Sequence, residues 1–396
     1  MLRTSGIEAK FHAALRYAGA ATGVALVGPR VVGLEVTHFC NLSCGFCETH
    51  GRFMAAPITK RRTYVGDRRS MDLDTIRRLG ASLSRIGVDW VELSGKGDPI
   101  VHPELPEIVK ILKESGLHVS MFTNGSVQRP GLVAALVDNG LENLNLSMNA
   151  GTREVFAKVT GKDLFEKSVA FVREVLEHRR RRGAKKLPWV RLTTVVCKDN
   201  VADMDAQVEL CCTLGVDEGG WCVMGELRET TDIRLDANDA DGLLERLPAW
   251  RARLEAAGIV HDLATFEEDL RMRIGAGPQQ DNPIQRAVPC YEGWNHAVIS
   301  PDGVVAPCCY CENVKLGNVV EQDFEEVWRG EAYQEFRRRS LEMPKTGRAI
   351  CRECFTSCNR AQMNRRIDQR LHWIGRGGPR GSDASAPSGL PKPAGG

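Results

Sequence analysis

The chain has 396 residues, 42% of them hydrophobic, enough for one large core with a smaller module attached. Lys and Arg (53) nearly balance Asp and Glu (51), and the net charge of +2 gives no reason to expect nucleic acid or a membrane surface as a partner. Fourteen cysteines cluster at short, metal-like spacings in a chain long enough to fold without staples, so disulfides are excluded and a reducing, cytoplasmic setting is expected.

In chain order, the first apolar stretch is 13–28. It is interrupted by Arg16 and too short to span a bilayer, so it predicts a packed helix within an N-terminal extension over 1–30. From 31 to 225, short β-branched runs alternate with amphipathic stretches. Strands are expected at 31–37, 88–94, 118–123, 141–147, 190–197 and 216–224, with helices at 73–86, 105–115, 132–139, 165–180 and 204–214. Six such units imply an α/β fold, a parallel sheet curled into a partial (β/α)6 TIM-like barrel with its chemistry at the C-terminal strand ends. The basic run 178–182 reads as a solvated helix terminus. Residues 226–289 read as a helical connector, 290–374 as a small cysteine-rich β-hairpin and helix domain, and 375–396, made of Gly, Pro, Ser and Ala, as a disordered tail.

The loop leaving the first strand, Thr37-His38-Phe39-Cys40-Asn41-Leu42-Ser43-Cys44-Gly45-Phe46-Cys47, places three thiols at C-x3-C-x2-C. Three thiolates on one loop can wrap a face of a four-iron cubane and leave one iron open for a ligand. Structural zinc, completed by His38 or His50, is the alternative.

This spacing, with an aromatic before the last cysteine and after the first strand of a β/α barrel, resembles the radical S-adenosylmethionine superfamily. The resemblance implies that Cys40, Cys44 and Cys47 bind a 4Fe-4S cluster whose open iron holds S-adenosylmethionine. Reduction by an external donor of the flavodoxin or ferredoxin type then yields a 5′-deoxyadenosyl radical. Ser94-Gly95-Lys96-Gly97-Asp98-Pro99 stands where the family has Gly-Gly-Glu-Pro, with Asp98 one methylene shorter than the family's glutamate. Gly95, Gly97 and Asp98 are therefore expected at the methionyl amino group, Ser147 and Asn149 at the ribose or carboxylate, and Phe46, Cys197 and residues 221–223 around the adenine. Thr123-Asn124-Gly125 resembles a family turn that is chiefly structural.

Cys290, Cys308, Cys351 and Cys354 form a second set. Apolar runs around Pro301-Asp302-Gly303 read as a hairpin that brings Cys290 and Cys308 together at its open end, and Cys351-x2-Cys354 closes the set. The pattern resembles the SPASM iron–sulfur domain in its shorter twitch form, which implies one auxiliary 4Fe-4S cluster; a zinc ribbon is the alternative. Cys309, Cys311 and Cys358 are left over, and Cys309 and Cys311 are expected as hydrogen donors if the reaction is an epimerisation. Some 30 residues precede the first strand, which favours a small substrate. The leading expectation is oxidation or epimerisation of a sugar or aminocyclitol-type intermediate. Peptide maturation by a thioether or carbon–carbon crosslink is the second, and an electron carrier without substrate the third.

Overall fold

The computed structural model describes residues 6–51, 70–183, 187–225, 232–274, 283–309, 311, 313–351, 358 and 360–375. The expected tail from 376 onward and Cys354 lie outside the described residues.

Helix α1 (Ile7–Thr22) takes up part of the first apolar stretch. Arg16, the residue that interrupts that stretch, is its anchor. It is buried, paired with Asp89 at 2.8 Å, and donates to the carbonyls of Gly28 and Gly87. No helix among the described residues is long and apolar enough to cross a membrane.

Strands β1 (Val31–Leu34), β2 (Trp90–Leu93), β3 (His118–Thr123), β4 (Asn143–Ser147), β5 (Trp189–Val196) and β6 (Glu218–Val223) pair parallel in that order. Between them run α2 (Leu73–Arg85), α3 (Leu105–Glu114), α4 (Leu132–Asp138), α5 (Arg153–Thr160), α6 (Phe165–Arg181) and α7 (Met204–Leu214). Every expected barrel element is present, shifted by a few residues at most; α5 is an addition. The strands obey period 2. On β5, Val190, Leu192, Thr194 and Val196 are buried while Trp189, Arg191, Thr193 and Val195 are half-buried. Val91, Leu93, Val119, Met121, Leu144 and Leu146 join those β5 residues in the main core, each contributing about 1.5–3 kcal/mol when fully buried.

The basic helix end at 178–182 is tied to acids rather than solvated throughout: His178 bonds Asp138 at 2.9 Å, and Arg179 bonds Asp217. The connector forms α8 (Ala237–Ala256), a two-residue β7 (Val260–His261) beside β6, and α9 (Leu263–Ile274). Then come α10 (Pro283–Ala287), α11 (Glu292–Asn295), β8 (His296–Ile299), β9 (Val304–Ala306), β10 (Gly317–Asn318), α12 (Phe324–Arg329), α13 (Glu331–Thr346) and α14 (Ala361–Gly375).

The expected hairpin is β8–β9, but it is not a freestanding module. β8 pairs parallel to β1, Val31 to His296 through Leu34 to Ile299, and one ten-stranded sheet runs β10-β9-β8-β1-β2-β3-β4-β5-β6-β7. The first and sixth barrel strands do not pair, so the barrel is open. The C-terminal cysteines are thereby carried to the edge of β1, whose exit is the first cysteine loop.

Candidate active site

Residues 35–51 leave β1 and are clamped from three sides. The Asp98 amide donates to the Phe39 carbonyl at 2.8 Å. Asn124 donates its side-chain amide to Asn41 Oδ1 (2.9 Å), and Asn41 donates to Ser126 Oγ (2.8 Å). From α5, the carbonyls of Thr160 and Val159 accept from the amides of Ser43 and Gly45. The Thr-Asn-Gly-Ser turn is thus structural, as expected, and its target on the cysteine loop, Asn41, is a residue sequence reasoning missed. An asparagine between ligand cysteines was its only signal.

On this frame Cys40, Cys44 and Cys47 share one short loop. Cys40 Sγ accepts from the Leu42 amide at 3.5 Å, and Cys47 Sγ from the amides of Thr49 and His50 at 3.4 and 3.3 Å. Backbone donors aimed at sulfur stabilise thiolate. Burial, with the Asp98 carboxylate adding to it, pushes Cys40 up to about 12; burial and the sister thiols push Cys44 up as well. Such dry thiols ionise when a cation takes up the charge, so three of them on one loop fit a cluster and do not fit acid–base work.

The glycine loop after β2 lies against this cradle. A Cβ on Gly97 would sit 2.2 Å from the Thr37 carbonyl oxygen, and Gly95, at φ +124°, would place one 2.3 Å from Glu35 Cγ. Both glycines are required by close approach to the cysteine loop and β1. Asp98 points elsewhere than expected. Its carboxylate is buried and accepts from the Ile100 amide (3.0 Å), Thr123 Oγ1 (2.7 Å) and the Asn124 amide (2.7 Å), which makes it a splint between the ends of β2 and β3. Asn149, at φ 57°, is likewise a clip: its Oδ1 accepts from the Val195 amide, and its carbonyl from Asn200. Ser147 is half-buried at the end of β4 and in register with Thr193. Phe46 packs with Val195, Cys197, Met224 and Ile233, an apolar cluster at the strand ends that suits a flat base; Trp221 belongs to the main core instead.

Below these strand ends the inner face is polar. Glu92 is in register with Ser120, and Ser120 with Asn143; the Ser120 hydroxyl and the Trp90 indole N–H are buried without a partner among the described residues. Sequence reasoning missed this row, although Glu92, Ser120, Asn143 and Asn145 stand at alternating positions of otherwise apolar strands.

The second site gathers five thiols. Cys290, Cys308, Cys311, Cys351 and Cys358 line one buried cavity, together with Glu292 and Arg360. Cys311, expected as a free hydrogen donor, is 1% exposed, and its thiol is hydrogen-bonded to Cys308 and Cys351. It stands with the ligand set. Cys309 is exposed. Five thiols lining one cavity are a donor set that fits an iron–sulfur cluster.

The radical SAM superfamily model matches residues 34–210, and the model of an iron–sulfur cluster-binding domain, SPASM, matches 290–355. The chain carries a radical S-adenosylmethionine domain and a SPASM iron–sulfur domain. Its relatives include the PqqA peptide cyclase of Ruegeria pomeroyi, 26% identical over 346 residues that cover 85% of this chain and 82% of that protein. A probable GTP 3′,8-cyclase of Saccharolobus solfataricus is 26% identical over 309 residues, 78% of this chain and 90% of that protein. In fold the enzyme resembles the crystal structure of Streptococcus suis SuiB bound to S-adenosylmethionine, with a TM-score of 0.60, 18% identity, and coverage of 81% of this chain and 70% of that one. The enzyme uses S-adenosylmethionine and 4Fe-4S clusters, and the donor sets described above fit them. When bound, these groups supply the electron and the 5′-deoxyadenosyl radical. The chain's own residues clamp the three-thiol loop, present an apolar surface at Phe46, and line the inner strand face with polar side chains.

Proposed function

We propose that this radical SAM enzyme matures a peptide, closing a thioether or carbon–carbon crosslink between side chains. The observation that carries the reading is the 346-residue similarity to a peptide cyclase, which covers most of both proteins. It moves the reading away from the sugar or aminocyclitol intermediate and the epimerase outcome expected from the sequence, while the crosslink proposed is itself an oxidation. The two thiol sites suit a crosslinking reaction. Closing one bond removes two hydrogens from the peptide: one is taken as an atom by the 5′-deoxyadenosyl radical, and the other leaves as a proton while its electron goes to the auxiliary site. The polar row Glu92, Ser120 and Asn143 offers hydrogen bonds to a side chain entering the open barrel.

The test uses anaerobically reconstituted enzyme with S-adenosylmethionine and dithionite. A cysteine-containing peptide library, GTP and an aminocyclitol are offered separately. A peptide that loses two hydrogen masses, with one 5′-deoxyadenosine formed per event, is the expected result. Substrate-stimulated 5′-deoxyadenosine with GTP or the aminocyclitol alone, and unchanged peptide masses, would replace the proposal.

A further inference from the structure

Two charged side chains line the cavity of the second thiol site, Glu292 and Arg360. Each stands two residues after a thiol of that set, Glu292 after Cys290 and Arg360 after Cys358. Glu292 is 2% exposed at the start of α11, and Arg360 precedes α14. Arg360 Nε lies 3.4 Å from Glu292 Oε2. The rest of the wall is Phe336 and Ile350, both buried, and the buried Gln285, whose Oε1 accepts from the Cys358 thiol at 3.5 Å. His296, 3.9 Å from Glu292 on β8, is held near pKa 3 by its burial and by Arg360, so it adds no competing cation.

We infer that Arg360, held by Glu292, is a positioning residue that sets the reduction potential of the auxiliary cluster. A cluster ligated by thiolates is anionic, and reduction makes it more so. A fixed cation at the cavity wall stabilises the reduced form and raises the potential, while a fixed anion lowers it. Arg360, with 35% of its side chain exposed, is partly screened by solvent, whereas the buried Glu292 acts at lower effective dielectric. As a stabilising contact the pair has little to offer, because the desolvation of Glu292 offsets much of its attraction to a partly exposed partner. Its position beside the thiols therefore calls for another role. The inference rests on the auxiliary cluster and not on the peptide reading.

The experiment is an EPR-monitored redox titration of full-length, anaerobically reconstituted enzyme in a Cys40, Cys44 and Cys47→Ala background, where the auxiliary cluster is the remaining signal. Arg360→Gln should move the midpoint to more negative potential, Glu292→Gln to more positive, and Arg360→Lys should stay near the parent because the charge is kept. The double variant Arg360→Gln/Glu292→Gln should return toward the parent. Unchanged midpoints in both single variants, or shifts in the same direction, overturn the inference. Should Arg360→Gln lose its iron, the lysine and double variants decide: loss of iron there too shows a purely structural pair and also overturns it. Iron content and peptide turnover of the otherwise wild-type enzyme, measured separately, keep this result distinct from the fate of the peptide reading.

Discussion

Replacing Asp98 with Asn keeps the shape of the side chain and removes its charge, and the structure states what is lost. Oδ1 accepts from the Ile100 amide and Thr123 Oγ1, and Oδ2 from the Asn124 amide. An asparagine oriented to keep the first two bonds turns its NH2 onto the Asn124 amide, donor against donor. A hydrogen bond to a charged group contributes about 1.5–3 kcal/mol, so one lost bond and two weakened ones set the upper range. Against this, burial pushes the Asp98 carboxyl upward despite the three bonds that pull it down, so ionising the group in this site carries a cost that asparagine escapes. The net expectation is about 1–3 kcal/mol of lost stability for Asp98→Asn and about 3–5 for Asp98→Ala, which strands three buried donors. Denaturant midpoints measure this, with S-adenosylmethionine affinity by equilibrium dialysis and 5′-deoxyadenosine formation measured beside them. Because the Asp98 amide also holds Phe39 of the cysteine loop, affinity should fall in step with stability. Wild-type stability in Asp98→Asn, with affinity down tenfold or more, would show direct contact with the cofactor's ammonium, and the splint reasoning would be wrong.

Substituting Cys40, Cys44 and Cys47 together by Ala should end S-adenosylmethionine cleavage while leaving iron at the second site, about four per chain against about eight in the parent. 5′-Deoxyadenosine from the triple variant under dithionite would contradict the assignment. The third prediction concerns acid stability. Although burial raises Glu142, hydrogen bonds from His118 (2.7 Å) and Lys113 bring it below its ordinary value of 4.5. A carboxylate depressed on folding contributes stability that is present above pH 4.5 and lost as pH falls below it. Glu142→Gln should therefore flatten the acid limb of a melting-temperature profile between pH 6 and 3, and an unaltered limb would remove Glu142 from that role.

The barrel and the first thiol site were legible because their signals are local. Period-2 and period-3.6 patterns repeat within ten or so residues, and Cys40, Cys44 and Cys47 share one loop whose spacing is itself the geometry. The second site draws on Cys290, Cys308, Cys311, Cys351 and Cys358, and the segments between them decide which thiols meet. Spacing alone therefore gave no reason to join Cys311 to the ligands or to pair Arg360 with Glu292. The run 296–299 reads equally well as half of a separate hairpin or as a strand added to another sheet. Only its parallel pairing with β1, more than 260 residues away in sequence, carries the second site to the mouth of the barrel.

The same distinction explains the residues that moved. Asp98 and Asn149 were assigned to the cofactor because a carboxylate and an amide at strand ends are the right chemical types for it. Polar side chains at strand ends have a second use, however: the last amides of a parallel sheet need acceptors as the chain turns away. Asp98 satisfies Ile100 and Asn124, and Asn149 satisfies Val195. Three hydrogen bonds already accepted leave the Asp98 carboxylate about one of its four acceptor sites for a ligand. Among the described residues, unfilled groups on the barrel strands include Ser120 Oγ and Trp90 Nε1 on the inner strand face, each three residues below its strand end, and Thr193 Oγ1 on β5. Substrate discrimination should therefore be sought below the motif loops, in a row to which the family resemblance assigns no role.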